Sequence, residues 1–271
     1  MGDRRKRHAA DPVALSPGVS GAGQDLGWLA EEAELNAYPP VRQALFGGWV
    51  LRFSEGGARR GGNSATPIRP DCDDGDDFIA AAEALYRWRG SVPLFRVPTI
   101  VTSAIDHRLT ARGYTREGES CTIYGPMRGI AAERDPQVRL LPAPTPRWFA
   151  AMARLQGHTP VQAAVYRRIV RNIAVPAAFA LLAADGEPAA LAYAALHRGL
   201  LCYESVIADP RRRRQGLARR VIAGLADWGS GLGANAACLQ VEASNVPARA
   251  LYDRFGLTVE LSRYHYFRAV M

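Results

Sequence analysis

Hydrophobic and polar positions in the second half of the chain follow helix and strand spacings in a regular order. Leu217, Val221, Leu225 and Trp228 recur at helical spacing and predict an amphipathic helix from Gly216. Further helices are predicted over residues 147–155, 160–173 and 246–255, and strands over 179–183, 189–196, 200–208, 237–242 and 258–269. An antiparallel run of strands followed by strand–helix–strand units predicts an α/β (α+β) fold with helices on both faces of a sheet.

The first half has shorter and less regular elements. Strands are predicted over residues 49–53, 63–68 and 94–97, with another ending near Met127, and helices over 80–88 and 103–112. Residues 37–44 resemble a short helix that Pro39 and Pro40 interrupt.

Composition shifts along the chain predict three segments. Residues 1–24 mix charge, Gly, Pro and Ser without periodicity, which indicates a disordered tail. A proline-rich stretch begins at Pro136. We therefore predict an N-terminal domain over 25–135 and a C-terminal domain over 136–271.

Bulk properties exclude some classes of protein. No apolar run is long enough to cross a bilayer, and no signal-peptide core follows the basic start, so we expect a cytoplasmic protein without a membrane partner. The four cysteines have neither metal nor redox spacing, so no metal site is predicted. The net charge of +8 is unevenly distributed, because six arginines fall between Arg211 and Arg220.

These arginines lie in a predicted strand-to-helix turn that ends at Gly216. Backbone N–H groups at a helix N-terminus have no intrahelical acceptor and form an anion site together with the helix dipole. Arginine pairs readily with phosphate. A phosphorylated cofactor and a nucleic-acid backbone both fit these residues, and the position after a hairpin strand favours the cofactor.

Two motifs resemble those of the GNAT superfamily of N-acetyltransferases. Arg213, Gly216 and Ala218 match its pyrophosphate pattern [Q/R]-x-x-G-x-[G/A], and residues 239–257 match L-x-V-x-x-x-N-x-x-A-x-x-L-Y-x-x-x-G-[F/L]. The resemblance covers residues 138–268. It implies the GNAT fold, with a mixed, mostly antiparallel twisted sheet flanked by helices. It also implies acetyl-CoA as co-substrate and direct acetyl transfer to a primary amine of a small molecule or a peptide or protein N-terminus.

The resemblance also implies roles for individual residues. Tyr252 falls at the position of the acid that protonates the departing thiolate, and Asn245 at a contact with the arm of the cofactor. The implied contacts of the pantetheine arm are the backbones of Val206, Ile207 and Ala208. The implied pyrophosphate contacts are Arg213, Arg214, Gln215, Gly216, Leu217, Ala218 and Arg219.

The general base is open between two glutamates. Strand alternation predicts Glu204 on the same face as Val206 and Ala208, and we favour Glu204. Related N-terminal acetyltransferases use a glutamate at the position of Gln240, and an amide cannot take up the proton. Glu242, on the same face as Gln240, is the second candidate.

The first half resembles a degenerate copy of the same fold. Residues 59–64 come near the pyrophosphate motif, but Ser64 stands in the Gly/Ala place and prolines follow, so no cofactor is expected there. This half could close the acceptor groove, complete the sheet or mediate a homodimer. Two other functions stay open: a sensor of acyl-CoA or a transferase for another acyl donor, and, less favoured, a nucleic-acid-binding module.

Overall fold

One mixed sheet of eleven strands runs through the computed structural model, which describes residues 24–54, 59–102, 104–127 and 134–270. The helices of these residues are α1 (Gln24–Ala37), α2 (Asp76–Trp88), α3 (Ile105–Ala111), α4 (Pro146–Gln156), α5 (Pro160–Arg171), α6 (Leu217–Gly231) and α7 (Val246–Asp253). The strands are β1 (Arg42–Phe46), β2 (Trp49–Phe53), β3 (Ala65–Pro67), β4 (Leu94–Pro98), β5 (Thr115–Pro126), β6 (Arg139–Leu141), β7 (Ala177–Ala184), β8 (Glu187–His197), β9 (Leu200–Ala208), β10 (Ala236–Glu242) and β11 (Val259–Arg268).

The two halves exchange their last strands, so that β5 of the first half pairs with β10 of the second, and β11 of the second half pairs with β4 of the first. The strand order is β1-β2-β3-β4-β11-β5-β10-β9-β8-β7-β6. Strand β5 pairs antiparallel with β10 and β11, and β11 pairs antiparallel with β4 and β5. The sequence division near residue 135 therefore separates two halves that share one continuous sheet.

The mixed, mostly antiparallel sheet flanked by helices is confirmed, and so are most of the predicted elements. One local prediction was wrong, and two elements were missed. Residues 37–44 contain the end of α1 and most of β1 instead of a short helix. The proline-rich stretch after residue 135 contains β6, and helix α1 was missed. The predicted tail lies outside the described residues except for Gln24, with which α1 begins.

Helices cover both faces of the second half. Helix α6 buries its apolar stripe against one face, which we call the α6 face. On the opposite face, the α1 face, helices α4 and α5 pack on β7 and β8 around Trp148. Beside them α1 places Ala30, Ala33 and Ala37 against β8, β9 and β10. Alanine has a short side chain, so α1 of the first half lies close to the sheet of the second.

The first half repeats the strand–loop–helix order of the second, with a different loop. In the first half, the loop between β3 and α2 takes the place that the arginine-rich turn has in the second half, and it contains Asp71, Asp73 and Asp74. Residues 59–64, which come near the pyrophosphate motif in sequence, precede β3 and form a short 3₁₀ helix from Arg60 to Asn63, so they do not occupy the corresponding position. Carboxylates in the loop between β3 and α2 would repel a phosphate.

Candidate active site

Strands β9 and β10 separate after a short paired stretch and leave a cavity between them. They pair in parallel where Ala236–Cys238 meets Leu200–Cys202. Beyond this stretch a cavity of about 670 Å³ opens, lined on one side by residues 203–206 and on the other by residues 239–242. Side chains on both faces of the sheet reach it, so the cavity joins the α6 face to the α1 face.

A bulge in β9 sets the direction of the side chains at this opening. Tyr193 lies opposite Glu204, and Leu191 lies opposite Ile207, so β9 has one extra residue. The extra residue is accommodated at Ser205, whose φ is 52°. The hydroxyl of Tyr166 in α5 donates to Ser205 Oγ at 2.9 Å and holds the bulge.

The prediction that Glu204, Val206 and Ala208 share one face was wrong because of this bulge. Glu204 faces the α1 side with Ile207, while Val206 and Ala208 pack on the α6 side. Of the three residues assigned to the pantetheine arm, Val206 lines the cavity. The two sides of the cavity therefore carry different chemistry.

The N-terminus of α6 is exposed. Gly216 has a φ of 68°, a conformation that favours glycine, and space for an added Cβ is open around it among the described residues. The helix has no side-chain cap within the described chain, so its first amides point to the loop.

The neighbouring arginines divide into paired and unpaired groups. Arg211 and Arg212 pair with Asp209 and Asp185. The structure gives no ion pair for Arg213 or Arg214 among the residues it describes. The two arginines next to Gly216 are therefore available to an anion.

Glu204 lies on the α1 side of the cavity with a perturbed carboxyl group. Burial raises the pKa of Glu204 to about 7, and the Arg59 guanidinium opposes this rise. Arg59 Nη1 is 3.9 Å from Glu204 Oε2, an ion pair longer than a hydrogen bond. A carboxyl group with this pKa is half ionised near neutral pH, which suits a general base.

Tyr252 lines the same cavity from α7. Burial, and after it the Glu204 carboxylate, raise the pKa of Tyr252, so the phenol keeps its proton at neutral pH. Asn245 Oδ1 caps α7 by accepting from the Ala248 N–H at 3.2 Å, so its amide nitrogen is the group it can offer to the cavity. Tyr203 Oη is buried in the cavity lining and has no hydrogen-bond partner in the described chain.

Gln240 and the second base candidate, Glu242, lie in different surroundings on β10. Gln240 Oε1 accepts from the Tyr264 hydroxyl at 3.0 Å, and its buried Nε2 has no partner among the described residues. This orientation offers a hydrogen-bond donor to the cavity. The Glu242 side chain is 64 % exposed and lies 3.8 Å from Arg60 at the rim.

The first half supplies part of the cavity wall. Glu34, Tyr38, Arg59 and Arg60 all line it. The end of α1 is held in place because Tyr193 Oη donates to the Ala37 carbonyl at 2.9 Å and the Arg52 guanidinium donates to the Tyr38 carbonyl.

Sequence reasoning missed these four residues. The alanines at positions 30, 33 and 37, together with Glu31 and Glu34, could have predicted a helix that carries acids on its packed face. No spacing along the chain indicates that this helix reaches β9.

The residues that the structure describes contain no group of three His, Cys, Asp or Glu side chains arranged to hold a metal ion. No helix among them has the length and apolar character needed to span a membrane.

Comparisons with known proteins agree with this geometry. A family model described as "Probable histone acetyltransferase Rv0428c C-terminal" matches residues 29–267, and thus both halves. The "Uncharacterized N-acetyltransferase YobR" of Bacillus subtilis (strain 168) is 24 % identical over 234 residues, which is 85 % of this chain and 93 % of the relative.

Two solved structures share the fold. A GCN5-related N-acetyltransferase from Kribbella flavida superposes with a TM-score of 0.67 at 15 % identity, covering 93 % of this chain and 98 % of the other. A tandem GNAT protein from the clavulanic acid biosynthesis pathway gives a TM-score of 0.61 at 14 % identity, covering 91 % and 93 %. The chain shares the GNAT fold with these structures, and with the family model spanning both of its halves, it belongs to the Rv0428c C-terminal acetyltransferase family.

Proposed function

We propose that this acyltransferase moves an acetyl group from acetyl-CoA directly to a primary amine. The observation that carries the proposal is the cavity between β9 and β10. It places Glu204 and Tyr252 in one space, beside strands that lead to the uncapped N-terminus of α6.

The residues on the α6 side fit the donor. The amides at the start of α6, with Arg213 and Arg214, would bind the pyrophosphate. Tyr203 Oη, buried without a partner in the described chain, would bind a polar group of the donor. When bound, acetyl-CoA supplies an activated acetyl thioester, whose C–S bond breaks as the C–N bond to the amine forms.

The residues around the centre of the cavity would move two protons. Glu204 takes a proton from the amine, directly or through one water, because its pKa of about 7 keeps much of it ionised at neutral pH. Tyr252 Oη gives a proton to the departing sulfur. Among the described residues no histidine lines this cavity beside a cysteine, so a direct transfer fits better than a covalent enzyme intermediate.

The acceptor enters from the α1 side. The family description names a histone acetyltransferase, so a protein amine is one acceptor to test, beside small-molecule amines. The same donor site would also fit a sensor of acyl-CoA or a transferase for another acyl group. Comparing acetyl-, propionyl- and succinyl-CoA in a thiol-release assay separates these alternatives.

Gly216→Glu tests the donor site. A carboxylate at the start of α6 repels phosphates, so we expect coenzyme A binding to weaken at least a hundredfold by calorimetry. The control is Gly90→Glu, because Gly90 has nearly the same φ, 66° against 68°, and open space around it in the described structure.

Equal binding by Gly216→Glu and the wild type would refute this placement of the donor site. Salt-sensitive binding of duplex DNA that coenzyme A does not displace would favour the nucleic-acid alternative instead.

A further inference from the structure

The acceptor side of the cavity contains carboxylates that are already paired with arginines. Glu34 lies 3.7 Å from Arg52, and Glu204 lies 3.9 Å from Arg59. Glu242, at the rim, is 3.8 Å from Arg60. A polycationic acceptor would therefore meet fixed positive charges beside each carboxylate and would gain little electrostatic energy.

Proton uptake by Glu204 removes the negative charge from one of these carboxylate–arginine pairs. When the carboxyl group becomes neutral, Arg59 loses its anionic partner inside the cavity. The other charged groups around Glu204 do not replace it, because Glu34 of α1 has a raised pKa and its own partner Arg52, and Tyr252 of α7 keeps its proton. Three tyrosines near Glu204 are neutral as well, because burial raises their pKa values: Tyr38, which follows α1, Tyr166 of α5 and Tyr193 of β8.

A second donor on this side of the cavity is the Gln240 side-chain amide. Gln240 Nε2 is buried, lines the cavity and makes no hydrogen bond within the described residues, while Tyr264 fixes its orientation by occupying Oε1. A buried donor without an acceptor costs free energy, which a ligand oxygen would recover. The cavity thus presents two donors, Arg59 and Gln240, near a base that accepts from an amine.

We propose that the natural acceptor is an amino-acid-like zwitterion, whose amine faces Glu204 and whose carboxylate is bound by Arg59 and Gln240. This inference rests on the proposed acetyl transfer and names its acceptor class. The carboxylate of the acceptor restores the charge partner of Arg59 when Glu204 takes the proton. Arg59 comes from the first half, so this half determines which acceptor the second half acetylates.

The test compares acceptors that have a free carboxylate with acceptors that lack it at the same position. The full chain with acetyl-CoA is assayed by thiol release on the common amino acids, their C-terminal amides, the amines without the carboxyl group, and lysine-containing histone-tail peptides. We expect kcat/KM for the best amino acid to exceed that of its amide at least tenfold. In Arg59→Gln this ratio should fall to about one, mainly through KM.

Arg171→Gln is the matched control, since Arg171 lies over Phe149 outside the cavity lining. It should keep the acid-to-amide ratio of the wild type. Arg59→Lys, which keeps the charge and loses the planar fork, should give an intermediate ratio, and thermal melts show whether each variant is folded.

Two outcomes would overturn the acceptor class: equal rates on acid and amide in the wild type, or a preference for histone-tail peptides. A ratio that survives in Arg59→Gln would refute the role of Arg59. Absence of thiol release with every amine, despite bound coenzyme A, would instead refute the acetyl transfer itself.

Discussion

Replacing Glu204 by glutamine separates a catalytic carboxyl group from a structural one. The variant keeps the shape of the side chain and removes its ability to take a proton. A positioned general base contributes typically about 10² to 10⁴ in rate, so we expect kcat/KM to fall by about that range. The acid limb of the wild-type pH–rate profile should lie near pH 7 and should disappear in the residual activity of Glu204→Gln.

Although Glu204→Gln should lose activity, it should be more stable than the wild type at high pH. The folded-state pKa of Glu204, about 7, lies above the ordinary glutamate value of 4.5, so the folded protein binds more protons than the unfolded chain between these values. Wild-type stability from this group is therefore highest below pH 4.5 and is lost as the pH rises towards 7. Over the whole range this difference amounts to about 3.4 kcal/mol, at 1.36 kcal/mol per pKa unit, and the interval from pH 5 to pH 8 covers about 2–3 kcal/mol of it.

Urea unfolding at pH 5 and pH 8 measures this difference. Relative to the wild type, Glu204→Gln should gain about 2–3 kcal/mol in free energy of unfolding between the two pH values. Glu242→Gln serves as the matched control, because the Glu242 side chain is 64 % exposed at the rim of the same cavity. It should lose less than tenfold in kcat/KM and should unfold like the wild type.

Two results would refute this reasoning. If Glu204→Gln retained both its activity and the acid limb, the base would lie elsewhere. If Glu242→Gln lost the activity instead, the second candidate on β10 would be the base.

Two further predictions concern the shared sheet. Glu31 and Arg96 form a bidentate ion pair in which both side chains are 1 % exposed, so Glu31→Gln should lower the free energy of unfolding in urea by about 3–5 kcal/mol. Asp71→Asn, which removes one partner of an exposed pair, should lower it by less than about 1 kcal/mol. Equal losses in the two variants would contradict the role of burial. An added Cβ on Gly125 of β5 would lie 2.0 Å from a backbone carbonyl oxygen, so Gly125→Ala should lose about 3 kcal/mol or more in free energy of unfolding. Gly231 has open space around it in the described structure, so Gly231→Ala should be as stable as the wild type or more stable.

The elements of the second half were predictable because their hydrophobic spacing is regular over their full length. The start of α6 and the following β10–α7 segment are contiguous in sequence, so short-range spacing was enough to predict these elements. Helix α1 was not predictable in the same way. Its buried acids, Glu31 and Glu34, contradict an apolar stripe, and their arginine partners lie far away along the chain.

By itself, the sequence determined the family resemblance, the fold class and the proposed position of the donor site, because each depends on motifs and periodicity within a few tens of residues. The tertiary structure decided the acceptor side. The bulge at Ser205 turned Glu204 away from Val206, a change that a period of two cannot anticipate. Pairing of β5 with β10 and β11 joined the halves into one sheet and brought Arg59 to Glu204 across 145 residues of sequence. Contacts over such distances depend on how the whole sheet is assembled, and local sequence does not encode them.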